Sequence, residues 1–132
     1  MIDQEKFAKL RDEINSERGD LSLFALVLRE DAANKWDLIA AAPWMESDRS
    51  RVLKYLAEKL TRRLKQDEIL DLSRIIVLEE GNPALEAFLR AMRVERGSIA
   101  EVESSEFFGL PIKHAYIFQA KRPETPASAN VG

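Results

Sequence analysis

Two apolar runs and the short segment between them constrain this chain more than anything else in it. The first runs from Leu21 to Leu28 (LSLFALVL), the second from Trp36 to Trp44 (WDLIAAAPW), and Asp31-Ala32-Ala33-Asn34-Lys35 separates them. The first run is far shorter than the roughly 20 residues a membrane span requires. It is apolar on both parities, whereas a strand with one wet face alternates. Such a run belongs in the middle of a sheet. The second run is its expected antiparallel partner, because the connection has hairpin length. Pro43 ends that strand, since proline has no N–H to give the ladder.

At 132 residues the chain has the size of one domain, and 45% apolar with 33% charged residues is globular composition rather than that of a disordered or membrane protein. It contains no cysteine, which removes disulfides, thiolate metal sites and cysteine nucleophiles together and favours an intracellular setting. Met1 to Phe7 has no basic segment leading into an apolar one, so no signal peptide is expected. The expectation is a cytoplasmic protein of bacterial type. A net charge of −3 argues against non-specific nucleic-acid binding by the chain as a whole.

The remaining elements follow from periodicity. Phe7, Leu10 and Ile14 put a helix over residues 3 to 17, capped by Asp3 and ended by Gly19. Strand 1 is expected from Leu21 to Glu30 and strand 2 from Trp36 to Ala42. Val52, Leu53, Leu56, Leu60 and Leu64 hold helical spacing, so a second helix starts at Ser47 or Asp48 and runs to about Gln66. After Ile69 to Leu72, the β-branched density of Arg74 to Glu79 predicts strand 3. Asn82-Pro83 opens a third helix that buries Leu85, Phe88, Leu89 and Met92. Ala100 and Val102 alternate with Glu101 and Glu103 in strand 4, from Ile99 to Glu106, and strand 5 covers Ile112 to Lys121. The order α-β-β-α-β-α-β-β predicts an α+β domain over residues 1–122, with a mixed, largely antiparallel five-stranded sheet and three helices. Strand 1 lies centrally, and the pairs joined through the second and third helices are candidates for parallel crossovers. Residues 123–132 are small, polar and broken by proline, as in a disordered tail.

Residue types for catalysis are sparse. The single histidine, His114, lies on the parity of Ile112, Tyr116 and Phe118, with no sequence neighbour to orient it as an acid or base; a half-buried strand histidine is the simpler reading. No metal site or cofactor is expected. Carboxylates at Asp37, Glu79, Glu80, Glu101, Glu103 and Glu106 could hold only a hard cation such as magnesium. Gln119-Ala120-Lys121 echoes the acid-x-lysine of restriction-type nucleases with glutamine in the acid's place. Ser104 and Ser105 lack a nucleophile elbow, and the scattered glycines form no phosphate loop.

Three surfaces remain. Arg51, Lys54, Arg62 and Lys65 form a basic face on the second helix, with Lys59 and Arg63 on its flank; it suits phosphates or an acidic partner, or simply a solvated helix. Trp36, Leu38, Ala40, Ala42 and Trp44 share one parity, where small side chains between two indoles either admit a helix closely or leave an apolar groove. Trp44-Met45 at the strand exit and the apolar turn Phe107-Phe108-Gly109-Leu110-Pro111 are interface candidates. The leading expectation is a non-enzymatic protein-interaction module, a dimeric adaptor or chaperone-like protein using Trp44, Met45, Phe107, Phe108 and Leu110. The alternatives are a carboxylate-based, nuclease-like metal enzyme and nucleic-acid binding through the second helix. The enzyme requires Asp37 and Glu79, or Glu101 and Glu103, to converge.

Overall fold

The computed structural model describes residues 2–31, 35–46 and 48–122. The middle of the first hairpin, Ser47 and the tail expected over residues 123–132 lie outside the described residues. The elements are α1 (Gln4–Arg18), β1 (Leu23–Arg29), β2 (Trp36–Ala41), a 3-10 turn (Pro43–Glu46), α2 (Arg49–Arg63), α3 (Gln66–Ile69), β3 (Leu72–Val77), α4 (Pro83–Ala91), β4 (Ala100–Phe107) and β5 (Leu110–Ala120). They build one five-stranded sheet in the order β3-β2-β1-β5-β4, with β2 and β3 parallel and the other neighbours antiparallel. The expected α+β fold is therefore the observed one, with β1 at its centre. A single-turn helix, α3, is added where a polar break was expected. The chain leaves α2 at Leu64, and Glu68 accepts from the Lys65 N–H to start the new turn. No helix among the described residues is long and apolar enough to cross a membrane.

Caps explain the helix limits. Asp3 accepts from Glu5 and Lys6, Asp48 from Arg51, and Asn82 from Ala84 and Leu85 with Pro83 at the first helical position. Gly19 closes α1 at φ 114°, a conformation side chains rarely adopt, and the Trp44 indole donates to its carbonyl at 3.2 Å.

The sheet separates two apolar layers. On the first face α1 (Phe7, Leu10, Ile14) and α2 (Val52, Leu56, Leu60) pack on Phe24, Leu26, Leu38 and Phe118. Ala40 and Ala42 are fully buried there between the flanking Trp36 and Trp44, so the small side chains serve helix packing. The second face (Ala25, Val27, Ile39, Ile117) is covered by one nine-residue helix, α4, through Leu85, Phe88, Leu89 and Met92. The β2-α2-β3 connection is the expected parallel crossover. The α4 connection is not: it carries the chain from one sheet edge to the other.

Two irregularities reset the strand alternation. Ser104 has φ 50°, so Phe107 reaches the same layer as Val102, five residues before it. On β5 the register against β1 shifts at Lys113 and again at Phe118. The first shift puts Ile112 in the second layer while Tyr116 and Phe118 stay in the first. The expectation that His114 shares a face with Ile112 thus fails, because a period of two does not survive a bulge.

A closed ring of hydrogen bonds fastens α1 to the sheet. Asn15 Nδ2 donates to Gln119 Oε1 (2.8 Å), Gln119 Nε2 to the Leu21 carbonyl (2.7 Å), and the Leu21 N–H to Asn15 Oδ1 (2.8 Å), all buried. Beside it the buried Arg11 guanidinium donates to the Ser98 and Phe118 carbonyls. An unpaired buried polar group costs about 1–3 kcal/mol. Asn15→Leu leaves two such groups and should cost about 2–4 kcal/mol in urea unfolding. Ser16→Ala, one residue further along α1 on its exposed side, should stay within about 0.5 kcal/mol.

Candidate functional site

The hairpin joining β4 to β5 has a two-residue loop, with Phe107 paired to Leu110 and both loop residues at positive φ, Phe108 at 57° and Gly109 at 78°. Such a turn favours Asn, Asp or Gly at its first loop position. A phenylalanine held there stores strain of about 1–3 kcal/mol, which packing must offset. Phe88 supplies that packing: it stacks on Phe108 at 5.4 Å between centroids and meets Phe107 edge-on at 5.2 Å. Phe107 is therefore buried, Phe108 half-buried and Leu110 exposed. Against α4 the turn walls a groove of about 470 Å³, floored by Ala84, Ala87, Phe88, Ala91 and Met92.

On the sheet side of the same turn lies a smaller pocket of about 190 Å³. Val27, Ile39, Ile76, Phe108 and Ile112 make it apolar, and Asp37 enters it from β2. Asp37 is 1% exposed. Its Oδ2 meets Arg29 Nε at 3.0 Å and Arg74 Nε at 3.3 Å, the two arginines reaching it from β1 and β3 on either side. Its Oδ1 is buried and has no hydrogen-bond partner among the described residues. Two guanidinium groups thus share one carboxylate oxygen, while the other is closed off from solvent.

A third constellation sits on the first face beyond the helices. Glu103 is paired with His114, and Glu101 with Tyr116, across β4 and β5. Glu101 Oε2 lies 2.8 Å from His114 Nε2, outside hydrogen-bonding geometry, and Glu103 Oε1 lies 3.9 Å from Nδ1. One ligand atom from each residue falls within 4.8 Å of the others. Trp36 stacks on Tyr116 and meets His114 edge-on. Burial, reinforced by Glu101 and Glu103, raises the Tyr116 hydroxyl above its ordinary pKa.

The other expected residues divide clearly. Met45 is 2% exposed and part of the first core layer, because the 3-10 turn folds it inward; as an interface candidate it is corrected to core. Trp44 is half-buried, edge-on to Tyr55 and beneath the Arg18 guanidinium. Asp37 and Glu79 do not converge: Glu79 lies five residues past Arg74, about 16 Å along an extended chain. Gln119 of the nuclease echo belongs to the buried ring, so its amide is structural. Ser104 and Ser105 lie within β4. Sequence reasoning missed Arg29 and Arg74. The available signal was Asp37 itself, a carboxylate inside an otherwise apolar run. No family model, curated protein or solved structure matches the chain.

Arg51, Lys54 and Arg62 are exposed on α2; Lys65, expected on the same face, is exposed too but lies past the end of α2, at the start of α3. The flanking bases are engaged: Lys59 is buried between Glu13 and Glu17 at 2.7 Å each, and Arg63 pairs with Glu13. Hydrogen bonds from Lys59 and Arg63 hold Glu13 below its ordinary value of 4.5, those from Lys59 and Tyr55 do the same for Glu17, and both acids raise Lys59. Depressed carboxylates stabilise the fold above their unfolded pKa, and that stability is lost as pH falls through the lowered values. Lys59, being raised, contributes below 10.5 and loses its contribution as pH rises through its higher folded value. Lys59→Met should lower stability at pH 7 and flatten the loss below about pH 4.5, as read by urea midpoints on either side of that value; an unchanged acid limb would assign it to other carboxylates.

Proposed function

We propose that this protein is a non-enzymatic binding module that pairs with a second copy of itself through the α4–hairpin face. The observation that carries the reading is the strained aromatic turn beside a helix that exposes three alanines along one flank. Ala84, Ala87 and Ala91 are exposed where a solvated helix normally carries charge, as α2 does at Arg51, Lys54, Glu58 and Arg62. Alanines let helix axes approach to the short end of the roughly 8–10 Å range. A two-fold axis near residues 87–88 sets Ala84 of one copy against Ala91 of the other, so the strip is complementary to itself. Phe108 and Leu110 then supply the aromatic and aliphatic anchors typical of interface centres. The glutamates of edge strand β4 discourage pairing through the sheet edge instead.

Light scattering over a concentration series should give a dimer. Phe108→Glu and, separately, Ala87→Glu should each weaken it about 100-fold, close to 2.7 kcal/mol, with unchanged far-ultraviolet circular dichroism. A wild-type monomer throughout, or dimers that tolerate both changes, would overturn the reading.

Carboxylate-based metal chemistry is a second reading, favoured by the convergence of Glu101, Glu103 and His114. One imidazole and two carboxylates suit manganese or zinc better than magnesium. Calorimetric titration with Mn²⁺ and Zn²⁺ should show one site that His114→Ala removes; no heat, or heat unaffected by the substitution, rejects this reading.

A further inference from the structure

We infer that the outer edge of β3 takes an extended peptide segment as a sixth strand, with apolar side chains turned toward α2 and an acidic one beside Arg74.

The sheet has two edges, β3 and β4, and they are finished differently. β4 carries Glu101, Glu103 and Glu106 and breaks its alternation at Ser104, which are common defences against strand addition. β3 carries one charge, Arg74, and after an extra residue near Ser73 it runs in register with β2 from Arg74 to Val77. The N–H of Leu78 donates to the Ala40 carbonyl, so strand alternation turns the N–H and C=O groups of Ile75 and Val77 away from β2. No described residue pairs with them on that side.

Beside this edge lies an open groove of about 410 Å³. Leu53, Ala57 and Leu60 line it from α2, Ile69 from α3, and Leu72 and Ile75 from the strand itself. Leu70, at 63% the most exposed large apolar side chain among the described residues, lies two residues before the strand. Main-chain bonds to a sheet edge, with pockets for alternate side chains, are how extended peptides are held. A strand added to β3 sends every second side chain into this groove. None of the groove's walls belongs to the α4 strip or the aromatic turn, so the site does not depend on pairing between copies there.

Charge selects the partner. Arg74 lines the groove with its side chain half-exposed. Lys54 and Arg62 are exposed on α2 and Lys65 just beyond it, against Glu58 and Asp67. The excess is positive. Along the strand the sign reverses, because the next hollow, about 270 Å³ beside Val77, is lined by Glu46 and Glu79 with Arg49. An acidic side chain therefore belongs at the Arg74 end, and a basic one is disfavoured there.

The capped pentapeptide Thr-Val-Glu-Val-Thr and its counterpart with lysine at the centre test this. In titrations followed by backbone amide shifts, the glutamate peptide should move Arg74, Ile75 and Val77. It should bind about fivefold more tightly than the lysine peptide at low salt, with the difference shrinking as salt is added. Ala57→Trp, at an exposed position of α2, fills the groove and should weaken binding about tenfold or more with unchanged circular dichroism. Should that variant fail to fold, methylated peptides decide: with both valine nitrogens methylated in one and the glutamate nitrogen in another, one should bind and the other should not, because alternate N–H groups face β3. Equal binding of the glutamate and lysine peptides, no shifts or shifts confined to other elements, binding that survives Ala57→Trp, or equal binding of the methylated pair would overturn the site. A dimer that Ala57→Trp dissociates would assign the groove to a second copy and overturn it too; loss of the dimer in Phe108→Glu with peptide binding intact would leave it standing.

Discussion

β1 is the constraint on which the other elements depend. Paired on both edges and buried on both faces, it commits all six residues from Leu23 to Leu28 to contacts made at once. Leu26 faces α1 and α2, while Ala25 and Val27 face α4. A slip of one residue would exchange the layers, setting leucine and phenylalanine where alanine and valine now fit, so the register is strongly specified. β2 takes its register from β1, and β3 takes its own from β2. The bulges in β5 are then the adjustment of a long strand to an inflexible neighbour: β5 carries two extra residues against β1, at Lys113 and Phe118, and β4 follows the first with Ser104 at positive φ.

The two faces are finished differently. On the first, polar locks hold α1 to the sheet, through the Asn15–Gln119–Leu21 ring and Arg11 on two carbonyls, to α2 through Lys59 between Glu13 and Glu17, and to the 3-10 turn through Trp44 on Gly19. Such locks add little net stability compared with apolar burial, but each makes a displaced helix costly by orphaning its partner. The second face has one short helix, a strained turn and a carboxylate satisfied on one side only. Departures from local consistency gather at sites that do something other than hold the fold.

Much of this was legible in the sequence, and what was not has identifiable causes. The element order, central β1, parallel crossover through α2 and the three expected helices, α1, α2 and α4, follow from patterns that act locally: apolar period, caps, proline and glycine. The fate of Met45 was not legible, because one turn of 3-10 helix after Pro43 decides whether residue 45 points out or in. His114 was misplaced relative to Ile112 by a bulge that leaves no mark in composition. Its convergence with Glu101 and Glu103 depends on the pairing of β4 with β5, and the closure of Arg29 and Arg74 on Asp37 depends on strand order. Sequence separation hides both. Asp37 itself was visible as a charge in an apolar run, but its unpaired oxygen was not.

Asp37 and His114 each leave one buried polar atom unsatisfied among the described residues. A buried ion pair that served only stability would present both carboxylate oxygens to donors, since a bidentate arginine fork is the stronger arrangement. Here two arginines approach with their Nε atoms, from neighbouring strands, and meet one oxygen. That geometry fixes the carboxylate's orientation and leaves its second oxygen buried without a donor among the described residues. At His114 both acids are exposed and reach water, but the imidazole Nε2 is, like Asp37 Oδ1, buried and without a hydrogen-bond partner among the described residues. Each cluster therefore keeps one buried polar atom unsatisfied, at a cost of about 1–3 kcal/mol that the surrounding packing must offset.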